Sequence, residues 1–218
     1  MYLNWFSRRL AQENRTSLEP DWSIAPCGGG ERMGAFLGLF GANEGHVVAL
    51  TDVVADHEMF KQLPDPEILR GARILSIDKY TDSKGRDIED LMGSSTYFAL
   101  VNLCHKLPRR HRIKRLNLLQ GPKGLVQQVE EHFATAGIGL GAFDRCKPAE
   151  FLAENTAKCA RKLPDLSDAM DRFERVFAEI NALQSGGLGS VSSADTSNQR
   201  RRIDEIASSG RASQLTQA

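Results

Sequence analysis

Four acidic residues stand where they could bind a divalent cation. Asp52 ends the apolar run 46–52, Asp56 follows four residues later, and Asp87 and Glu89 flank a single isoleucine. If the run is a strand of a parallel sheet, its carboxyl end is where such sheets bind ligands. Carboxylate oxygens are the ligands that Mg²⁺ and Mn²⁺ prefer, and two such ions roughly 4 Å apart can stabilise both the attacking and the leaving oxygen of a phosphodiester. If the segment from Asp87 to Glu89 is extended, its two carboxylates point the same way.

Each of these acids also has a structural explanation. Asp87 and Glu89 favour the N-terminus of a helix, where negative charge is stabilising, and Asp52 can simply terminate a strand. Composition and spacing leave this choice open, so the metal site stands as a hypothesis beside a purely structural interpretation.

The segment 91–129 has a charge pattern that suits a polyanion. It contains no Asp or Glu, whereas the preceding segment 43–90 carries eleven acids against six bases. Because phosphate neutralisation supplies most non-specific affinity for nucleic acids, we expect the basic segment to bind DNA. The alternative is a solvated basic loop. The bases expected to contact DNA are Arg109, Arg110, Arg112, Lys114 and Arg115.

The overall composition gives no separate argument for DNA binding. The 218 residues carry 28 Lys and Arg against 28 Asp and Glu, and 41% are hydrophobic. Such a chain can form one substantial core or two small ones. No apolar run approaches the roughly 20 residues that span a bilayer, and the N-terminus lacks the pattern of a signal peptide, so we expect a cytoplasmic protein without membrane contact. The four dispersed cysteines are expected to be reduced, mostly buried thiols.

Apolar periodicity predicts the elements that must position these side chains. Short apolar runs at 46–52 and 73–78 predict strands of a parallel sheet that is buried on both faces, and 22–25 predicts another short strand. The glycine triplet 28–30 indicates a turn from strand to helix. Helices are predicted at 2–11, 31–40, 97–103 and 166–183. The Ser- and Gly-rich segment 185–218 predicts a mostly disordered tail.

Several blocks of the sequence, and their order, resemble a known family. The blocks are Tyr2-Leu3-Asn4-Trp5-Phe6-Ser7, Trp22-Ser23-Ile24-Ala25-Pro26-Cys27-Gly28-Gly29, Ala49-Leu50-Thr51-Asp52, Asp87-Ile88-Glu89-Asp90-Leu91 and Phe173-Glu174-Arg175-Val176-Phe177-Ala178-Glu179-Ile180-Asn181. Over about residues 1–184 the chain is similar to the C-terminal half of the overcoming-lysogenization-defect (OLD) family of ATP-dependent endonucleases, in which a Toprim domain precedes helices. The resemblance implies cleavage or nicking of DNA with Mg²⁺ or Mn²⁺, usually within phage defence or repair.

The resemblance also implies roles for individual residues. The implied metal ligands are Asp52, Asp56, Asp87 and Glu89. Lys123, ahead of an expected helix at 125–133, would assist phosphoryl chemistry, since an ammonium can stabilise charge that develops on the phosphate. Asp52, Glu89 and Lys123 would then be the catalytic residues.

Two features depart from the family pattern. The family's Toprim domain opens with a strand ending in Val-Glu-Gly, directly before the Tyr-Leu-Asn helix, whereas this chain starts at Met1-Tyr2-Leu3-Asn4. The strand and its glutamate are therefore expected to be missing. In addition, the family's short Asp-x-Asp or Asp-plus-Gly-Asp turn is replaced after Asp52 by Val53-Val54-Ala55-Asp56-His57-Glu58, so Asp56 matches the family's ligand pattern less well than Asp52 does. Apart from these departures, the sequence has no P-loop motif, so any ATP site is expected in a partner.

These observations predict an α/β fold: a Toprim-like (Rossmann-like) parallel sheet with flanking helices, without its first strand, followed by a helical C-terminal segment. The expected divisions are a partial Toprim-like domain at 1–107, a basic loop and helical segment at 108–184, and the tail at 185–218. The expected function is a divalent-metal-dependent DNA endonuclease that works with an ABC-type ATPase domain or subunit, with a homo-oligomer left open. The alternative is a catalytically inactive DNA-binding or interaction module.

Overall fold

A computed structural model describes residues 1–27, 32, 36, 47–51, 72–81, 87–114, 123–138 and 143–185. These residues form a mixed α/β structure with one two-stranded parallel sheet and six α-helices. The strands are β1 (Val47–Thr51) and β2 (Ala72–Ser76). The helices are α1 (Tyr2–Gln12), α2 (Ser94–Cys104), α3 (Leu125–Ala136), α4 (Cys146–Glu154), α5 (Thr156–Lys162) and α6 (Leu166–Ser185). The parallel pairing of the two predicted strands is confirmed.

Helix α1 is amphipathic and buries one aromatic face. Tyr2, Trp5, Phe6 and Leu10 recur at helical spacing and are all buried. The ring of Phe6 stacks on that of Phe173 in α6, with 3.8 Å between the ring centroids. The predicted helix at 2–11 is therefore confirmed, and its apolar face packs against a helix more than 150 positions away.

The apolar stripe predicted for the last helix is also found. Met170, Phe173, Val176 and Phe177 lie on one face of α6 and are at most 3% exposed. Beyond α1, Arg15 donates to Glu174 at 3.1 Å and to Asp171 at 2.5 Å, on the more polar side of α6. The N-terminal segment is thus held to α6 by both apolar and charged contacts.

A sharp backbone turn precedes α2. Gly93 adopts a φ of +76°, which residues with a Cβ rarely adopt, and an added Cβ would lie 2.7 Å from the guanidinium of Arg172. Arg172 donates to the carbonyl oxygens of Leu91 at 2.6 Å and of Met92 at 3.0 Å. The residues just before α2 are therefore fixed to the N-terminal half of α6.

Several sequence predictions differ from the structure or lie outside the described residues. The predicted strand at 22–25 is wrong, because these residues have no strand structure. Residues 47–50 are half-buried, so β1 does not show the complete burial predicted for both faces. The glycine triplet 28–30, most of the predicted helix 31–40 and the segment 186–218 lie outside the described residues.

Contacts divide the chain into two compact units. One comprises residues 1–24 and 76–179, and it holds the acidic residues 87–90, Lys123 and most of the helices. The other comprises 25–75 and 180–218, and it holds the two strands apart from Ser76. Within the described ranges, no helix is long and apolar enough to cross a membrane.

Candidate functional site

The candidate metal ligands Asp87 and Glu89 belong to a short helical turn. Asp87 is the N-cap of a 3-10 helix at Ile88–Met92, and we call residues 87–92 the acidic turn. The Asp90 N–H donates to the Asp87 main-chain carbonyl oxygen at 3.0 Å, and the Asp90 side chain accepts a hydrogen bond from the Asp87 N–H at 2.9 Å, in the arrangement of a capping box. This reciprocal capping box satisfies two backbone donors. The hypothesis that 87–89 is extended is therefore wrong beyond Asp87, and the structural role at a helix N-terminus is confirmed for Asp87.

Asp90 links the acidic turn to helix α3. Its side chain is buried, and its Oδ1 accepts a hydrogen bond of 3.0 Å from the backbone N–H of Leu125, the first residue of α3. This N–H has no partner within its own helix, so the carboxylate satisfies a donor that would otherwise be unpaired. The role of Asp90 was not predicted from the sequence. Its position three residues after Asp87 was the available signal, because that spacing is typical of a capping box.

Glu89 is a buried carboxyl group with an unusual proton affinity. Its side chain is 8% exposed, and burial, with the nearby charge of Asp87, raises the pKa of Glu89 to about 7. Glu89 interacts electrostatically with Tyr2 and Tyr97, whose buried hydroxyl groups have no hydrogen-bond partner within the described residues. A buried carboxylate is energetically costly unless a cation or a proton neutralises its charge. Glu89 is therefore suited to bind a metal ion or to accept a proton.

Lys123 is near the residue of α3 that binds the acidic turn, but its ammonium group pairs with a carboxylate of α3 and not with the acidic turn. It precedes Leu125 by two residues, and Leu125 is bound to Asp90. The Lys123 Nζ donates to Glu131 at 2.7 and 2.9 Å, and the Lys123 carbonyl accepts from Gln128 at 2.8 Å. The structure thus brings the Lys123 segment to the acidic turn while the ammonium itself pairs with α3.

Arg145 is a residue near the site that sequence reasoning missed. It is the N-cap of α4, and its Nη1 lies 3.7 Å from Asp87 Oδ1 while its Nε donates to Glu130 Oε1 at 3.0 Å. Because Arg145 is far from Asp87 and Glu130 in the sequence, no local sequence pattern predicts these contacts. Only the folded arrangement of α3, α4 and the acidic turn shows this positive charge beside Asp87.

The described residues include two of the four predicted metal ligands. Asp87 and Glu89 are close enough to influence each other's charge, and both are oxygen donors of the kind that Mg²⁺ prefers. Within the described ranges, no group of three or more His, Cys, Asp or Glu side chains could hold a metal ion. Asp52 and Asp56, the other predicted ligands, lie outside those ranges. The chemistry of Asp87 and Glu89 fits a hard cation, and these two carboxylates leave room in its shell for further ligands.

We call residues 105–115 the basic loop; in its described part, 105–114, the basic side chains are exposed and the backbone is anchored to the core. Its apolar residues Leu107 and Ile113 are buried, and the Asn102 side chain holds Ile113 by two backbone hydrogen bonds of 3.0 and 2.9 Å. Arg115 lies outside the described residues. In the part of the loop that the structure describes, the exposed bases make no ion pair: they are Lys106, Arg109, Arg110, Arg112 and Lys114. This arrangement leaves positive charge available to an anionic partner.

Comparison of the chain with protein-family models, with curated proteins and with solved structures finds no match.

Proposed function

We propose that this chain is a divalent-metal-dependent DNA endonuclease of the Toprim type, similar to the OLD family and working with an ATPase domain or subunit. The observation that carries the proposal is the hydrogen bond between Asp90 and Leu125. It joins the turn that bears Asp87 and Glu89 to the segment that bears Lys123. Carboxylates that hold a metal ion and a lysine near the same phosphate can together stabilise the charge that develops during phosphodiester cleavage.

The acidic residues are proposed as the metal ligands. Asp87 and Glu89 from the acidic turn, with Asp52 and Asp56 from the segment after β1, would hold Mg²⁺ or Mn²⁺. When bound, the metal would polarise the phosphate and lower the pKa of a water molecule. Burial supports this role for Glu89, because a carboxylate removed from water is costly unless a cation neutralises its charge.

Lys123 is proposed to stabilise the negative charge that develops on the phosphate. Its side chain is 35% exposed, and its ammonium pairs with Glu131, whose side chain is 42% exposed. Exposed ion pairs contribute little free energy, so a phosphate can replace the carboxylate at small cost. Lys123 would then turn from α3 toward DNA without any change in its backbone position.

The basic loop is proposed to hold the DNA backbone. Its exposed Arg and Lys side chains lack carboxylate partners in the described part of the loop, and buried Leu107 and Ile113 fix its backbone. Contacts of this kind bind phosphates whatever the base sequence. We therefore propose DNA affinity that is independent of sequence and falls steeply with salt.

A second candidate function is a DNA-binding module without catalytic activity. The observation that favours it is that the polar groups of the site already have partners: Asp90 accepts two backbone N–H groups, Lys123 binds Glu131, and Arg145 lies by Asp87. In this alternative the acidic turn is structural, and the basic loop carries the function together with the docking of an ATPase.

One experiment separates the two functions. Binding of labelled duplex DNA is measured in EDTA, and cleavage of the same duplex is measured in Mg²⁺ and in Mn²⁺. The proposed endonuclease binds and cleaves, and Asp52→Asn, Glu89→Gln and Lys123→Gln each retain binding but lose cleavage. Binding with no cleavage by the folded wild type supports the DNA-binding module. Cleavage that all three variants retain refutes the proposed site.

A further inference from the structure

The guanidinium group of Arg145 lies between a carboxylate of the acidic turn and a carboxylate of α3. The Arg145 Nη1 atom is 3.7 Å from Asp87 Oδ1, and the Arg145 Nε atom is 3.0 Å from Glu130 Oε1. Arg145 also interacts electrostatically with Glu89. The acidic turn and α3 therefore share this positive charge, although α4 supplies it.

The two contacts of Arg145 differ in strength. The contact with Glu130 is a hydrogen bond, whereas the separation from Asp87 exceeds hydrogen-bond length. The Arg145 side chain is 53% exposed, so water screens both interactions. Arg145 can consequently leave Asp87 while Glu130 still holds it.

We infer that Arg145 is a built-in counter-cation of the acidic turn, which a divalent ion must displace from Asp87 and Glu89. The inference rests on the proposed function, since that function makes these two carboxylates metal ligands. A guanidinium and a divalent cation repel each other and cannot both occupy the space beside the same carboxylates. Metal binding must then break the interaction of Arg145 with these carboxylates, and this lowers the affinity of the site for the metal.

Binding of Mn²⁺ to the full chain tests this competition. Calorimetric titration with MnCl₂ compares the wild type with Arg145→Gln, which removes the competing charge, and with Arg145→Lys, which keeps it. Lys79→Gln is the matched control, because Lys79 pairs with Glu179 and its loss changes the net charge equally. We expect Arg145→Gln to bind Mn²⁺ about fivefold more tightly. Arg145→Lys should stay within about twofold of wild type, as should the control.

The opposite results overturn the inference. If Arg145→Gln binds Mn²⁺ as the wild type does, or more weakly, Arg145 does not compete with the metal. If Lys79→Gln tightens binding as much as Arg145→Gln does, the gain reflects net charge and not the contact with Asp87.

Thermal unfolding without metal tests the counter-cation separately from the proposed function. At low ionic strength and neutral pH, Arg145→Gln should lower the Tm, and adding Asp87→Asn should restore part of the loss. Asparagine is as well suited as aspartate to an N-cap position but removes the charge that Arg145 neutralises. An unchanged Tm in Arg145→Gln overturns the inference whatever the metal data show. If no chain binds Mn²⁺, the proposed metal site is wrong, and the melting comparison alone decides the role of Arg145.

Discussion

The carboxylate of Asp90 and the backbone N–H of Leu125 form a 3.0 Å hydrogen bond across 35 positions of the sequence. The bond ends in the first turn of α3, and on the other side Asp90 closes the capping box with Asp87. One buried side chain thus fixes the conformation of the acidic turn and its position against α3. The proposed arrangement of Glu89 and Lys123 depends on it.

Replacing Asp90 should therefore destabilise the protein strongly. Asp90→Ala leaves the backbone N–H groups of Asp87 and Leu125 without their acceptor, and we expect a loss of about 2 kcal/mol in the free energy of unfolding. Asp90→Asn keeps one acceptor oxygen and should lose less. Urea unfolding measures both.

The matched control for this prediction is Asp144→Ala. The Asp144 side chain also accepts a backbone N–H at the start of a helix, that of Cys146 at 2.9 Å, but at an exposed position. We expect this control to lose less than about 1 kcal/mol. Equal losses in Asp90→Ala and Asp144→Ala would show that burial of Asp90 has no special effect.

Glu89 should make the metal-free protein less stable as the pH rises. Its pKa is about 7 in the folded chain, above the usual value of 4.5, so the folded state holds this proton more tightly than the unfolded state. The stabilisation is complete below pH 4.5 and is lost as the pH rises through 7. Between about pH 5.5 and 8.5 the wild type should lose about 2 kcal/mol relative to Glu89→Gln.

Urea unfolding of both chains in EDTA at the two pH values gives this difference directly. Because Glu89→Gln removes only this titrating group, other groups contribute equally to both chains and cancel. If the free energy of unfolding changes with pH in the same way for the wild type and Glu89→Gln, Glu89 has an ordinary pKa.

The aromatic contact between α1 and α6 should be a main source of stability. Phe6 and Phe173 are both fully buried and stacked, so Phe173→Ala should cost about 4 kcal/mol through lost contacts and the cavity it leaves. Phe173→Leu fills more of that space and should cost less. Guanidinium unfolding checks the order, and a small loss in Phe173→Ala would mean that α1 is not packed on α6 in solution.

The basic loop should determine the salt dependence of DNA binding. If Arg109 and Arg110 each contact one phosphate, Arg109→Gln and Arg110→Gln should each reduce the slope of log K against log salt by about 0.9. Fluorescence anisotropy with duplex DNA at several salt concentrations measures the slope. Lys162→Gln, at an exposed position in α5, is the charge-matched control and should leave it unchanged.

Much of the fold was predictable because local patterns determine it. The spacing of Tyr2, Trp5, Phe6 and Leu10 predicts α1, and the stripe ending in Phe177 predicts α6. The two apolar runs predict β1 and β2 within about two residues at each end, as expected for element boundaries. The strand predicted at 22–25 failed, since a four-residue apolar pattern does not by itself provide a pairing partner.

The candidate site was predictable only in its residue types. Asp87, Glu89 and Lys123 were named from the sequence, but the capping role of Asp87 and the pairing of Lys123 with Glu131 appear only in the structure. The contribution of Arg145 could not be predicted, because its proximity to Asp87 depends on how α3 and α4 pack.

The decisive experiment for the proposed endonuclease site is nicking of supercoiled plasmid in Mg²⁺ or Mn²⁺ by the purified wild-type chain and by Glu89→Gln. We expect the wild type to convert supercoiled plasmid to open circles and EDTA to stop the conversion. Glu89→Gln should lose at least about a hundredfold in rate while it still binds DNA. A folded wild type that binds plasmid without nicking it, or a Glu89→Gln variant that nicks at the wild-type rate, would show that the acidic turn is not a nuclease site.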